Sequence, residues 1–166
     1  FEDANAICLK FDNTFLFEDE KQLLKAIIAV LDDADVVTGW NFTFFDTPYI
    51  VRRIIKLLGE DATKDLCLFG QQPVFKEKSN KFGDKNISYE IPGKWFVDYM
   101  ELYIKHEQGR KESYSLNSIA EIELKQQKVQ HDESLEDMYR QRYEDFIKYN
   151  RQDTMLVYRI DAKKNY

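Results

Sequence analysis

The sequence predicts an α/β layer fold rather than a helical bundle, and three observations point there. Apolar strand-like runs open the chain, helical periodicities then alternate with further short β-branched runs, and no internal repeat or low-complexity linker interrupts them. With 166 residues, 43% hydrophobic and 14% aromatic, the chain is expected to be a single domain, residues 1–166, large enough to bury a core.

NAICLKF (residues 5–11) reads as a buried strand and TFLF (14–17) as a second, with Asp12-Asn13 as the turn between them. In EDEKQLLKAIIAVLDD the period changes. Leu24, Ile27, Ile28 and Leu31 recur at helical spacing, and the acids at its start suit the positive end of a helix dipole. DVVTGW (35–40) is short and β-branched, which predicts a central strand. Asp46 follows as a cap for a helix starting at Pro48, with Ile50, Ile54, Leu57 and Leu58 as its stripe and Gly59 as its stop. VFKEKSNKFGDKNISYEI (74–91) alternates like a β-hairpin with a polar tip, and Lys76, Lys78, Lys81 and Lys85 make it locally basic. WFVDYMELYIKH is a strand running into a short helix, with Asp98 read as structural. SYSLNSIAEIEL is a helix capped by Ser113 or Ser115, and residues 135–164 form one long helix or two in close succession.

The net charge of −6 weighs against a protein that embraces duplex DNA with its whole surface, which needs a dominant positive field. It leaves room for an enzyme that handles one end of a strand in an acidic, metal-loaded cleft. No apolar run is long enough to cross a bilayer, so no membrane partner is expected and a cytoplasmic setting is. Cys8 and Cys67 sit alone in apolar surroundings and read as reduced, buried side chains. His106 and His131 lie in charged stretches with no partner at metal-ligand spacing.

Two aspartates stand in apolar company. Asp46 lies in GWNFTFFDTPYI, among aromatics. Asp153 shares a helical stripe with Phe146, Tyr149, Leu156 and Ile160, and Tyr149 is one turn before it. An unpaired carboxylate on a core-facing stripe costs several kcal/mol, so a cation is expected nearby. Alone, Asp46 reads as an ordinary N-cap, and Asp153 as the partner of a buried Arg or the cap of a neighbour. Together they suggest hard oxygen ligands for Mg²⁺ or Mn²⁺.

TGWNFTFFDTPYI resembles the second exonuclease motif of family B DNA polymerases, an Asn followed by Phe-Asp. YNRQD (149–153) resembles the third, Tyr-x-x-x-Asp. VDYMELY, SYSLNSIAEIEL and RIDAKKNY are similar to segments of T-even-type bacteriophage polymerases, in the same order, so the resemblance covers nearly the whole chain. It implies a ribonuclease H-like mixed sheet with flanking helices. The implied activity is 3′→5′ proofreading, a two-metal hydrolysis of the 3′-terminal phosphodiester of single-stranded DNA. By the same resemblance Asp46 and Asp153 hold the metals and Tyr149 orients the attacking water. Asn41 and Phe45 shape the pocket for the terminal nucleotide, although core packing is expected of at least one of Phe42, Phe44 and Phe45. The 74–91 hairpin, with Lys81 and Lys85, helps pass the primer end between sites. The implied partners are a primer-template 3′ end and the remainder of a polymerase chain, in the cytoplasm of an infected bacterium if the source is viral.

The first motif of that family, Asp-x-Glu on an opening strand, is missing from this sequence. FEDE (17–20) opens a helix and lacks the order, and Glu2 and Asp3 are isolated. The chain opens on Phe1 and is read as a fragment whose opening strand lies upstream, so as given it is expected to be inactive or nearly so. The alternatives are a non-catalytic module that binds single strands or braces a polymerase, and a free-standing exonuclease or RNase.

Overall fold

The computed structural model describes residues 4–79, 85–125 and 134–166. The chain divides into two compact units, one made of residues 17–105 and the other of residues 1–16 and 106–166. Among the described residues, no helix is long and apolar enough to cross a membrane.

The 17–105 unit begins with α2 (Glu20–Asp32), preceded in the chain by α1 (Ala4–Cys8) of the other unit. Asp19 caps α2, its carboxylate accepting the Gln22 N–H at 2.8 Å. Strand β1 (Val36–Gly39) follows, then α3 (Asp46–Leu58), ended by Gly59 at φ 93. Two 3-10 turns, Glu60–Leu66 and Leu68–Gly70, lead to the hairpin of β2 (Val74–Ser79) and β3 (Lys85–Glu90). Strand β4 (Trp95–Asp98) runs directly into α4 (Tyr99–His106). The core of this unit gathers Leu24 of α2, Val51 and Ile54 of α3, and Leu66, Cys67 and Ile91. Leu24 and Ile54 come from the helical stripes the sequence predicts, and Ile27, Ile28, Leu31, Ile50, Leu57 and Leu58 of those stripes pack against this core partly buried. Each fully buried aliphatic side chain contributes about 1.5–3 kcal/mol. The Cys67 thiol lies within this core, where burial pushes its pKa up to about 11 and leaves it a poor nucleophile.

β1 and β4 pair in parallel, Val36 opposite Trp95 through Gly39 opposite Asp98, and the stretch from residue 40 to 94 forms the crossover that such a pair requires. β2 and β3 pair antiparallel, with Phe75 edge-on to Tyr89 at 5.6 Å and Lys76 ion-paired to Glu90. The hairpin is therefore where the sequence put it, while its tip at 80–84 lies outside the described residues. One expectation changes: among the described residues the strands form two separate pairs rather than one mixed sheet, and β1 has β4 as its neighbour.

The other unit is helical. α5 (Leu116–Leu124) is capped by Ser115, α6 (Leu135–Gln141) by Ser134, and α7 (Tyr143–Lys164) follows α6 after one residue. Two helices in succession thus replace the single-helix option. The opening strands do not form. Residues 5–11 are α1 and a turn, because Ile7 and Cys8 bury against Ile147 of α7 with Phe11 and Tyr143 packed around them. Residues 14–17 take up no strand among the described residues, and Phe15 stays 75% exposed. The Asp12-Asn13 turn is present, with Asn13 at φ 57. Lys10 donates to Glu144 at 2.7 Å, and with Lys148 it holds that carboxyl down to about 2.

Lys94 is a buried cation that the sequence did not announce. Its side chain is 2% exposed, and Nζ donates to the Leu31 carbonyl at 2.5 Å, with Asp32 Oδ1 at 3.4 Å. It thus closes the negative end of α2. The preceding Gly93 is at φ 86, and a Cβ there would stand 2.4 Å from Leu68 Cβ. Gly93→Ala is expected to cost about 2–4 kcal/mol, the sum of left-handed strain and overpacking. Urea denaturation measures it, and a loss below about 0.5 kcal/mol, the level of a surface substitution, contradicts this packing.

Candidate active site

Asp98 ends β4 opposite Gly39, the last residue of β1. Its side chain is buried, with the residue 4% exposed, and it gathers three backbone N–H groups. Oδ1 accepts from Asn41 at 3.1 Å and from Met100 at 3.0 Å, and Oδ2 accepts from Thr43 at 3.0 Å. Such donors are what make a buried carboxylate tolerable. The Met100 bond caps the first turn of α4, while the other two hold the loop of residues 40–45. The structural role expected of Asp98 is what the geometry shows.

Further bonds set the loop. Asn41 adopts φ 58, a left-handed conformation that Asn tolerates. Its carbonyl accepts the Phe45 N–H at 3.2 Å, and the Phe42 carbonyl accepts the Thr47 N–H at 3.0 Å. Phe42 turns inward and stacks on Phe96 of β4 at 5.4 Å, which makes it the core phenylalanine of the three. Gly39 leaves room for it, since a Cβ there would lie 3.0 Å from the Phe42 ring. Trp40 packs against Tyr99 and Tyr103, with centroids 6.3 and 6.0 Å away. Asp46 is consequently held from both sides. It is the first residue of α3 and not a cap two residues ahead of it: the helix starts at Asp46 itself, and Phe45 occupies the cap position without a side-chain bond.

Phe45 is 71% exposed beside a half-buried Asp46, so a large aromatic face and a carboxylate stand next to each other at the surface. Burial raises the pKa of Asp46 above its ordinary 3.8; a backbone hydrogen bond opposes this and the negative charge of Asp98 adds to it. The helix terminus favours the anion, yet loss of hydration outweighs it.

Tyr149 and Asp153 lie one turn apart on α7, both half-buried, and Asp153 Oδ1 is buried. Leu156 and Ile160 continue the same stripe into the core. On another face, Arg151 donates to the Asp12 carbonyl at 2.5 Å and lies over the Phe11 ring at 5.7 Å, fixing the N-terminal turn. The structure thus groups Asn41, Phe45, Asp46 and Asp98 in the 17–105 unit, and Tyr149 with Asp153 in the other. Lys85 opens β3 opposite Ser79, and Lys81 and His131 fall outside the described residues. His106 is exposed and stacks on Tyr166 at 5.0 Å. Glu20 of FEDE is bound by the Arg53 guanidinium, so with the capping Asp19 this segment is structural.

Among the described residues, no three His, Cys, Asp or Glu side chains gather at metal-holding range. The donor chemistry nevertheless fits: half-buried carboxylates such as Asp46 and Asp153 suit a hard divalent ion as individual ligands. Sequence reasoning missed the grip of Asp98 on the loop. The available signal was an aspartate closing an apolar strand directly before a helix.

Residues 4–119 match the family model described as "DNA polymerase family B, exonuclease domain". The chain belongs to this family. It is 32% identical over 152 residues to the DNA-directed DNA polymerase of Escherichia phage RB69, covering 90% of this chain and 17% of the relative. It is 32% identical over 154 residues to the DNA-directed DNA polymerase of Enterobacteria phage T4, with the same coverages. The DNA polymerase delta catalytic subunit of Dictyostelium discoideum is 31% identical over 133 residues, which is 75% of this chain and 11% of the relative. The chain therefore spans about a sixth of the two phage relatives, at 17% of their length.

Because the folded pKa of Asp46 is raised, its contribution to stability is fully present below its unfolded value and is lost as pH rises through the folded one. With chelator present at pH 7, Asp46→Asn is expected to raise Tm, and the difference closes as pH falls below 3.8. A Tm at pH 7 equal to or below that of the parent chain contradicts the burial assigned to this carboxylate.

Proposed function

We propose that this chain is the 3′→5′ exonuclease domain of a family B DNA polymerase, hydrolysing the terminal phosphodiester of single-stranded DNA to proofread a primer end. The observation that carries this function is the 40–45 loop, which sets an exposed Phe45 against a half-buried Asp46 in a chain of this exonuclease family. On this account the fold is ribonuclease H-like, and the greater length of the matched phage polymerases supports the reading that the partner is the remainder of a polymerase chain. The setting is then the cytoplasm of the host in which that polymerase works.

Asp46 and Asp153 are the carboxylates that hold divalent metal, Mg²⁺ or Mn²⁺. When bound, the metal supplies Lewis-acid activation of the attacking water and neutralises charge on the phosphate. Tyr149, one turn before Asp153, orients that water through its hydroxyl. The Phe45 ring stacks on the terminal base without sequence preference, and Asn41 lines the pocket beside it. No protein nucleophile is needed. The hairpin of β2 and β3, with Lys81 and Lys85, guides the strand end, which suits a protein whose net charge of −6 disfavours holding duplex along its whole surface.

The 166 residues contain no Asp-x-Glu, and this favours one second function, binding of a strand end without cleavage by the chain as given. A 3′-labelled oligonucleotide incubated with Mg²⁺ or Mn²⁺ separates the two. In the full-length chain, Asp46→Ala and Asp153→Ala should each slow release of the terminal nucleotide by at least about a hundredfold, the scale of a lost electrostatic contact to a transition state. The 166-residue chain alone should show little turnover. Rapid degradation by the Asp46→Ala/Asp153→Ala double variant would sink the assignment.

A further inference from the structure

We propose that Asp98 is a positioning residue for hydrolysis, fixing the 40–45 loop so that Asp46 and Phe45 stand where the reaction needs them, a role that rests on the nuclease function assigned above. Asp98 is not itself an open ligand. Three backbone donors, the N–H groups of Asn41, Thr43 and Met100, already occupy its two oxygens, and the residue is 4% exposed.

What Asp98 controls follows from the sequence of bonds. The N–H groups of residues 41 and 43 end on Asp98, while the carbonyls of residues 41 and 42 accept the N–H groups of residues 45 and 47. Asp46 lies between those last two. Its backbone is therefore tied at both neighbours to a loop whose own donors converge on one carboxylate. Asp98 in turn is anchored twice, by the parallel ladder opposite Gly39 and by the first turn of α4. The loop's other anchor is apolar, the Phe42 ring on Phe96. Stacking resists separation but tolerates sliding and tilting, whereas the two directional bonds from Asn41 and Thr43 fix orientation. Without them, the N–H groups of Asn41 and Thr43 turn to water and the head of α3 gains freedom. Catalytic geometry tolerates only about 0.5 Å of such freedom.

Asp98→Asn tests this with little change in side-chain size. The amide keeps one acceptor oxygen but points N–H at a backbone N–H, so one loop bond becomes a repulsion. In the full-length chain, kcat for 3′-nucleotide release is expected to fall about 10–100-fold, while KM for single-stranded DNA changes less than about threefold. Mn²⁺ affinity, read by electron paramagnetic resonance without substrate, is expected to weaken about tenfold, as for partners that orient metal ligands. Near-ultraviolet circular dichroism checks that the variant is folded. If Asp98→Asn does not fold, Asp98→Glu, which keeps the charge on a longer arm, carries the same two measurements with the same expected losses. A folded variant with unchanged kcat and unchanged Mn²⁺ affinity overturns the positioning role. Undiminished hydrolysis by Asp46→Ala, run alongside, instead overturns the nuclease function on which that role depends.

Discussion

The 17–105 unit turns on one buried carboxylate. Asp98 closes β4, starts α4 and gathers the loop that leaves β1, so three elements meet at two oxygen atoms. Burying a charge is costly unless it is well bonded, and here the loop supplies two donors and the start of α4 a third. Neighbouring features become intelligible from this point. Gly39 must lack a side chain because Phe42 folds over it, Phe42 must turn inward because its loop is pulled toward β4, and Phe45 is left facing outward. The exposed aromatic beside Asp46 is thus a consequence of how the loop is anchored.

The other unit reaches a similar end by different means. α7 is anchored at its start by α1, through Ile7 and Cys8 on Ile147 and through Lys10 on Glu144. At its end, Lys164 binds Glu107 at 2.7 Å and Glu123 at 3.0 Å, while the Tyr166 hydroxyl meets Glu107 and its pKa is pushed up to about 12 by burial and by that bond. A helix held at both ends presents Tyr149 and Asp153 on a rigid element. Both motifs therefore sit on braced backbone, one on a clamped loop and the other on a pinned helix.

How much of this the sequence discloses depends on the kind of signal. The stripes of α2 and α3, the serine cap of α5 and the alternation of the hairpin rest on local periodicity and capping, and each is found where its pattern places it. Asp46 and Asp153 were conspicuous because a carboxylate breaks an apolar pattern. NAICLKF misled because a short apolar run carries no period long enough to separate strand from helix, and contact with Ile147 over a hundred residues away decided it. TFLF has strand-forming residues but, among the described residues, no strand pairs with it. Lys94 and the loop contacts of Asp98 depend on approaches between distant segments, which no local pattern encodes.

Amide hydrogen exchange resolved to single residues addresses the clamp most directly. The N–H groups of Asn41 and Thr43 belong to a surface loop, yet both end on a buried carboxylate. They should exchange as slowly as the β1–β4 ladder amides, opening only when that strand pair opens. Exchange at the rate of an unprotected loop, with the ladder still protected, would mean that Asp98 does not hold the loop and that Asp46 is placed by something else.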